Sequence, residues 1–160
     1  MKKKKSAKVK HKKIRLAFPL YVKRIKGKGW AVFCSSPIKK GQIFERCPYI
    51  YLPAKFWNRL SDTPIEPYRF SYHGYSTAVL LGYGSLYNHS HSEDEINCEW
   101  ELDRKKKLYY FTATKDIPAN TEICHDYSWE PEDFPRWGIP APKPAKSSSR
   151  PKKQAKRKTK

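Results

Sequence analysis

Three stretches of the sequence crowd chemically capable side chains together. The first is Gly27-Lys28-Gly29-Trp30-Ala31-Val32-Phe33. The second is Gly82-Tyr83-Gly84-Ser85-Leu86-Tyr87-Asn88-His89-Ser90, followed after a short loop by Ile96-Asn97-Cys98-Glu99-Trp100. The third runs from Asp116 through Glu122, Cys124 and His125 to Asp126-Tyr127. Taken singly, each has a plain structural explanation. Gly27-Lys28-Gly29 makes a turn, and it fits neither the phosphate-binding loop nor the dinucleotide fingerprint. Asn88-His89-Ser90 makes a capped loop around a satisfied imidazole, and Tyr127 is a core tyrosine. The four cysteines, Cys34, Cys47, Cys98 and Cys124, form no CxxC pair. Together with His89, His91 and His125 they match no standard zinc spacing, so no metal is assigned.

The elements that must position these residues are short strands and turns. Leu20–Ile25, Trp30–Cys34, Gln42–Arg46, Pro48–Leu52 and Tyr68–Tyr72 each read as a strand. Ala54–Leu60 reads as one or two helical turns. The clearest signal is the alternation over Asn97–Asp103. It sets Cys98, Trp100 and Leu102 on one face, with Asn97, Glu99, Glu101 and Asp103 on the other. The polar run Arg104–Lys107 turns the chain into the aromatic, β-branched Leu108–Thr114, which predicts a hairpin. Asp116–Asn120 is a loop, and Thr121–Tyr127 is expected to be the last strand. With no long amphipathic helix and 13 Pro, the expectation is a mainly β fold around one small core.

Charge divides the chain into three parts. The formal net charge is +19, carried by 34 Lys and Arg against 15 Asp and Glu. Residues 1–15 hold nine of the cations and residues 141–160 nine more, with no acid in either. The remainder is close to neutral. The expected layout is a basic tail over residues 1–15, one domain over 16–137 and a second basic tail over 138–160. Segments so poor in apolar residues bury too little surface to offset the entropy of ordering. They read either as solvated tails or as electrostatic arms for non-specific nucleic-acid binding. The candidate signal-peptide core, Leu16–Val22, is short and interrupted by Pro19. No stretch is long enough to span a membrane. A soluble intracellular protein with reduced thiols is expected, cytoplasmic or nucleoid-associated in a bacterium and nuclear in a eukaryote or virus.

In their order, the three stretches resemble the hallmarks of SET domains. That family opens with a Gly-x-Gly turn after the first strand, often as Lys-Gly-Trp-Gly. It continues with Asn-His-Ser, a Pro-Asn pair and a strand, and ends on Glu-[Leu/Ile]-x-x-x-Tyr. The resemblance covers Phe18 to Trp129 and is greatest to the short SET proteins of viruses and bacteria. It implies the β-clip fold of the family, with small curved β-sheets, short helices and a threaded C-terminal segment. There are departures. Ala31 replaces the second Gly, Ile96 replaces the Pro, the loop between Ser90 and Asn97 is two residues longer, and His125 stands where Phe or Tyr is usual. The zinc-binding cysteines that follow many SET domains are missing.

The resemblance implies a protein-lysine N-methyltransferase using S-adenosylmethionine, acting on histones or histone-like basic proteins. Its chemistry is attack by a neutral amine on a sulfonium methyl. Deprotonating a free lysine at pH 7 costs about 4.6 kcal/mol, which a desolvating aromatic channel offsets. Lys28, Gly29, Trp30 and Ala31 would wrap the methionine end of the cofactor. Asn88 and His89 would hold its amino and adenine ends, with Tyr68 on the cofactor side and Trp137 stacking on adenine. Tyr127 would be the catalytic tyrosine, with Tyr83, Tyr87, His125 and Trp129 along the lysine channel. A homodimer is left open. The alternative is a nucleic-acid-binding, histone-like protein whose SET core is inactive.

Overall fold

The computed structural model describes residues 17–26 and 28–140. Both predicted tails lie almost wholly outside the described residues. The chain divides into two units, Met1–Ser128 and Trp129–Lys160.

Among its described residues, the first unit holds eight strands in three small antiparallel sheets. Strands β1 (Leu20–Ile25) and β2 (Gly29–Cys34) form a hairpin. Strand β3 (Ile43–Cys47) pairs with β8 (Leu108–Ala113), which pairs with β7 (Cys98–Asp103). Strand β6 (Ser76–Leu80) lies between β4 (Tyr49–Leu52) and β5 (Arg69–His73). One helical turn, α1 (Trp57–Leu60), follows a 3₁₀ turn at Ala54–Phe56.

The β7–β8 hairpin is the one the alternation predicts. Cys98 is buried and Trp100 and Leu102 half-buried, while Glu99 and Glu101 face solvent. Strand β6 escapes sequence reading because it is central. It is buried on both faces, so Ser76-Thr77-Ala78-Val79-Leu80 shows no alternation. The core gathers Val32, Phe44, Phe70, Tyr87, Tyr109 and Phe111 from all three sheets. Gly84 lies against this core. A Cβ there would sit 2.5 Å from a ring carbon of Phe111 and 2.8 Å from a methyl of Leu80, so no larger residue fits.

Thr121–Tyr127 is not the strand expected. It is an extended segment that changes partner every one or two residues. Phe33 bridges Glu122, Asn88 bridges Cys124 and Cys98 bridges His125. The Ile123 amide donates to the Val32 carbonyl at 2.8 Å, and the His125 amide to the Asn88 carbonyl at 3.0 Å. The Asn97 and Cys98 amides both donate to the Cys124 carbonyl, at 3.0 and 3.2 Å. The segment thus joins β2, the Asn88 loop and the start of β7 without belonging to any ladder. In the second unit, a 3₁₀ turn at Phe134–Trp137 follows Trp129, whose ring packs on Phe134 with centroids 5.5 Å apart.

Candidate functional site

The extended segment brings parts of the three sequence stretches together. Asn97, at the head of β7, is buried and clamps the segment with its side chain. Its amide nitrogen donates to the Glu122 carbonyl at 2.7 Å, and its amide oxygen accepts from the Cys124 N–H at 3.1 Å. Glu122 then ties the first stretch to the second. One carboxylate oxygen pairs with the Lys28 ammonium at 3.1 Å, and the other accepts from the Asn88 amide at 2.9 Å. Burial works against the charged Lys28, but the hydrogen bond and charge of Glu122 outweigh it and raise its pKa. Asn88 Nδ2 also donates to the Trp30 carbonyl at 3.1 Å. With its N–H groups engaged, Asn88 presents its oxygen as an acceptor beside the β1–β2 turn.

That turn is built as the Gly-x-Gly reading requires. Gly29 has φ +84°, which a side chain would strain. Ala31 does not share that conformation. It sits fully buried within β2 at negative φ, so its methyl is accommodated. Trp30 is 54% exposed, and so contributes its backbone rather than its ring to this end of the site.

Tyr127 sits at the other end. Its hydroxyl donates to the Tyr87 carbonyl at 3.0 Å. Burial pushes its phenol well above the ordinary tyrosine range, so it is a neutral donor at physiological pH. Its backbone N–H donates to Nδ1 of His89 at 3.2 Å. Nε2 of His89 faces Nδ1 of His91 at 3.0 Å. Burial and the neighbouring His91 lower the pKa of His89.

A row of rings leads away from Tyr127. His125 lies 4.9 Å from it, centroid to centroid, Phe70 stacks on His125 at 5.6 Å, and Trp100 meets Phe70 edge-on at 5.5 Å. Beyond Trp100 opens a groove of about 550 Å³ lined by Ser71, Tyr72 and Trp100 through Lys105. The 4.9 Å between His125 and Tyr127 keeps the expected proximity although the segment is not a ladder strand.

Other expectations change. The Tyr87 ring is 1% exposed, and its hydroxyl is held by the buried Glu45 carboxylate. It is a core side chain and not a channel wall; what it offers the site is its carbonyl. The Tyr83 side chain is half-buried at the edge of the core, and its N–H donates to Glu45 at 2.7 Å. Tyr68 is 42% exposed, with its carbonyl accepting from Ser85 Oγ at 3.2 Å. Trp129 and Trp137 belong to the second unit. Sequence reasoning assigned no role to Glu122, Asn97 or Trp100. Asn97 and Glu122 stand inside the noted stretches, but only the fold makes them partners. Trp100 reads as an ordinary core residue until its ring falls in line with Phe70 and His125.

His125 gives the site a pH dependence. It is 5% exposed, and Nδ1 faces the Asp126 carbonyl at 3.1 Å, so Nδ1 carries the proton and Nε2 is an acceptor. Burial, together with the nearby His89, lowers its pKa from the ordinary histidine value of 6.5 to about 4. A depressed histidine contributes stability that is full above its unfolded pKa and is lost as pH falls toward the folded value. The window is therefore roughly pH 6.5 down to 4, and the whole contribution is about 3 kcal/mol. Glu45 has the opposite sign, because burial raises its pKa. Urea unfolding at pH 7 and pH 4.5 is expected to show a loss for wild type that shrinks in His125→Phe. Equal losses in both proteins would refute this assignment.

The SET domain family model matches residues 29–128. Two solved structures are similar. One is a crystal structure from Plasmodium falciparum described as a histone methyltransferase, with 24% identity and a TM-score of 0.56. The similarity covers 72% of this chain and 97% of that one. The other is CpSET8 from Cryptosporidium, with 18% identity and a TM-score of 0.56, covering 71% of this chain and 59% of that one. At these identities the likeness speaks for the fold. No curated protein sequence matches the chain.

Proposed function

The chain belongs to the SET domain family, and from that premise we propose that it is a protein-lysine N-methyltransferase that uses S-adenosylmethionine. The observation that carries the reading is the Tyr127 hydroxyl. It is fixed on the Tyr87 carbonyl at 3.0 Å, with the ring row on one side and the Asn88–Glu122–Lys28 cluster tied to it through the same chain segment.

The residues present fit the cofactor. Its α-ammonium suits the acceptors at Asn88 Oδ1 and the Trp30 carbonyl, and Lys28 supplies the cation for its carboxylate. When bound, S-adenosylmethionine supplies an electrophilic methyl on a sulfonium. The chain's own part is positioning and desolvation. Tyr127 is too weak an acid to be a phenolate, so it orients by hydrogen bonding and does not serve as the base. The Trp100–Phe70–His125 row excludes water from an incoming lysine, which favours the neutral amine. The proton leaves to solvent. Candidate substrates are histones or histone-like basic proteins. Incubating the purified chain with S-adenosylmethionine and such proteins, then mapping methyl-lysine by mass spectrometry, tests the reading. No modified lysine on any of them overturns it.

His125 sets how many methyls are added. Its one N–H is engaged by the Asp126 carbonyl, leaving Nε2 to accept from a water or from the lysine amine. An amine or water held there resists the rotation needed for further transfer. The expected products are mono- and dimethyl-lysine, and His125→Phe is expected to shift them toward trimethyl-lysine. Mostly trimethyl product from wild type at low enzyme concentration would show that the small size of histidine decides instead.

A further inference from the structure

The near-neutral body of the chain is electrically lopsided. Residues 17–87 carry ten Lys and Arg against three Asp and Glu, whereas residues 88–128 carry five against nine. The acidic half contains the β7–β8 hairpin and the segment that ends in Tyr127. Glu99 and Glu101 face solvent on β7, and Glu101 and Asp103 line the groove beyond Trp100 together with Arg104 and Lys105. Asp103 is paired with Lys106 at 3.0 Å and Arg104 donates to the Tyr72 carbonyl at 2.9 Å, so the exposed Glu99 and Glu101 of β7 are the acids that face an added cation.

A dense set of cations is attached to this same body. Lys2-Lys3-Lys4-Lys5, Lys8, Lys10, Lys12 and Lys13 precede Ala17, where the described chain begins. Ala17 bridges Glu45 of β3, whose carboxylate holds the Tyr87 hydroxyl, and the Tyr87 carbonyl accepts from Tyr127. That chain of contacts puts Ala17 within roughly 20 Å of the Tyr127 hydroxyl, allowing ~5 Å for the bridge and the lengths of two side chains. The contacts run through the core, so a tail must go around it. The path is roughly 25 Å for a body of this size. The backbone between Ala17 and Lys12 or Lys13 spans at most about 18 Å, and that to Lys2–Lys5 about 40–50 Å.

We propose that this protein methylates its own N-terminal lysine cluster, with Lys2–Lys5 as the targets in cis. The inference rests on the methyl-transfer reading above. Tethering holds these amines at an effective concentration on the order of mM. In the transfer, the lysine ε-ammonium first loses a proton to solvent. The amine lone pair then forms the N–C bond as the C–S bond of the sulfonium donor breaks. The sulfur keeps the breaking pair as a neutral thioether. The methylated ammonium is still a cation, so the tail keeps its charge as it is modified.

The test uses the full chain. Wild type is incubated with S-adenosylmethionine alone, across about a hundredfold dilution, and mapped by mass spectrometry. The expected result is methylation of Lys2–Lys5 ahead of Lys12 and Lys13, at an initial rate per chain that does not change with dilution. A rate that falls in proportion to concentration overturns the cis reaction. So does methylation confined to Lys12 and Lys13 or to lysines after Ala141. A tail left unmodified by a chain that methylates an added histone peptide overturns this proposal and leaves the enzyme reading standing. Failure on both substrates overturns the enzyme reading itself. A second readout needs no methyl donor. A labelled Met1–Lys13 peptide should bind the full-length Lys2–Lys5→Ala chain about tenfold more tightly than wild type, because the native tail no longer competes. Equal affinities would count against docking of the tail on its own body.

Discussion

Replacing Tyr127 by Phe is expected to lower the methyl-transfer rate by tenfold to a hundredfold, about 1.4–2.7 kcal/mol of barrier. The substitution removes one oxygen. The ring contacts with His125 and His89 remain, at 4.9 and 5.4 Å, as does the backbone bond to His89. The fold should therefore hold, with a melting temperature close to that of wild type. What is lost is the hydroxyl on the Tyr87 carbonyl, and with it the polar group that fixes where a methyl and an amine meet. Single-turnover kinetics with saturating substrate separates this from a binding defect. A Phe variant with the wild-type rate would remove Tyr127 from the chemistry.

The second large effect is structural. Asn97→Ala is expected to cost about 2–4 kcal/mol of stability. Its amide is the clamp between β7 and the extended segment, and both bonded groups, the Glu122 carbonyl and the Cys124 N–H, lose their partner. Asn97 is 5% exposed, so bulk water does not readily replace it. For a domain of this length the melting temperature should fall by about 10–20 °C. Activity should fall as well, at temperatures where the variant is still folded, because Tyr127 lies at the end of the loosened segment. An unchanged melting temperature would show that the segment is held without the clamp.

Much of this fold is legible in the sequence, and the reasons differ by element. The β7–β8 hairpin shows itself because one face of β7 is wet, so Glu99 and Glu101 alternate with Cys98 and Trp100. The β1–β2 turn shows itself through Gly29, whose φ of +84° explains why glycine stands there. Strand β6 is hidden because burial on both faces erases alternation. Thr121–Tyr127 reads as a strand because a short run containing Thr, Ile and Tyr follows the Asp116–Asn120 loop. Sequence does not reveal that those positions pair with three different partners.

The site divides in the same way. Lys28, Gly29, Asn88, His89, His125 and Tyr127 are legible through their order along the chain. The Tyr87 assignment fails because a tyrosine ring beside a motif gives no sign of which way it faces. Here it turns inward to Glu45, itself an acid that nothing in the local sequence marks as buried. The clamp by Asn97 and the bridge by Glu122 are properties of topology. Each joins residues more than twenty positions apart.

The shifting partnership of Thr121–Tyr127 also has a kinetic consequence. The backbone partners of Ile123, Cys124 and His125 lie far upstream, at Val32, Asn88, Asn97 and Cys98. Contacts of such long sequence separation close late and slowly, because loop entropy is lost before they are rewarded. Docking of the segment is therefore expected late in folding of the unit, and Tyr127 arrives with it. A chain that has formed only the Gly29 turn and the Asn88 loop would not yet hold the Tyr127 hydroxyl on the Tyr87 carbonyl. If Tyr127 acts as proposed, methyl transfer is expected only from molecules in which assembly is finished.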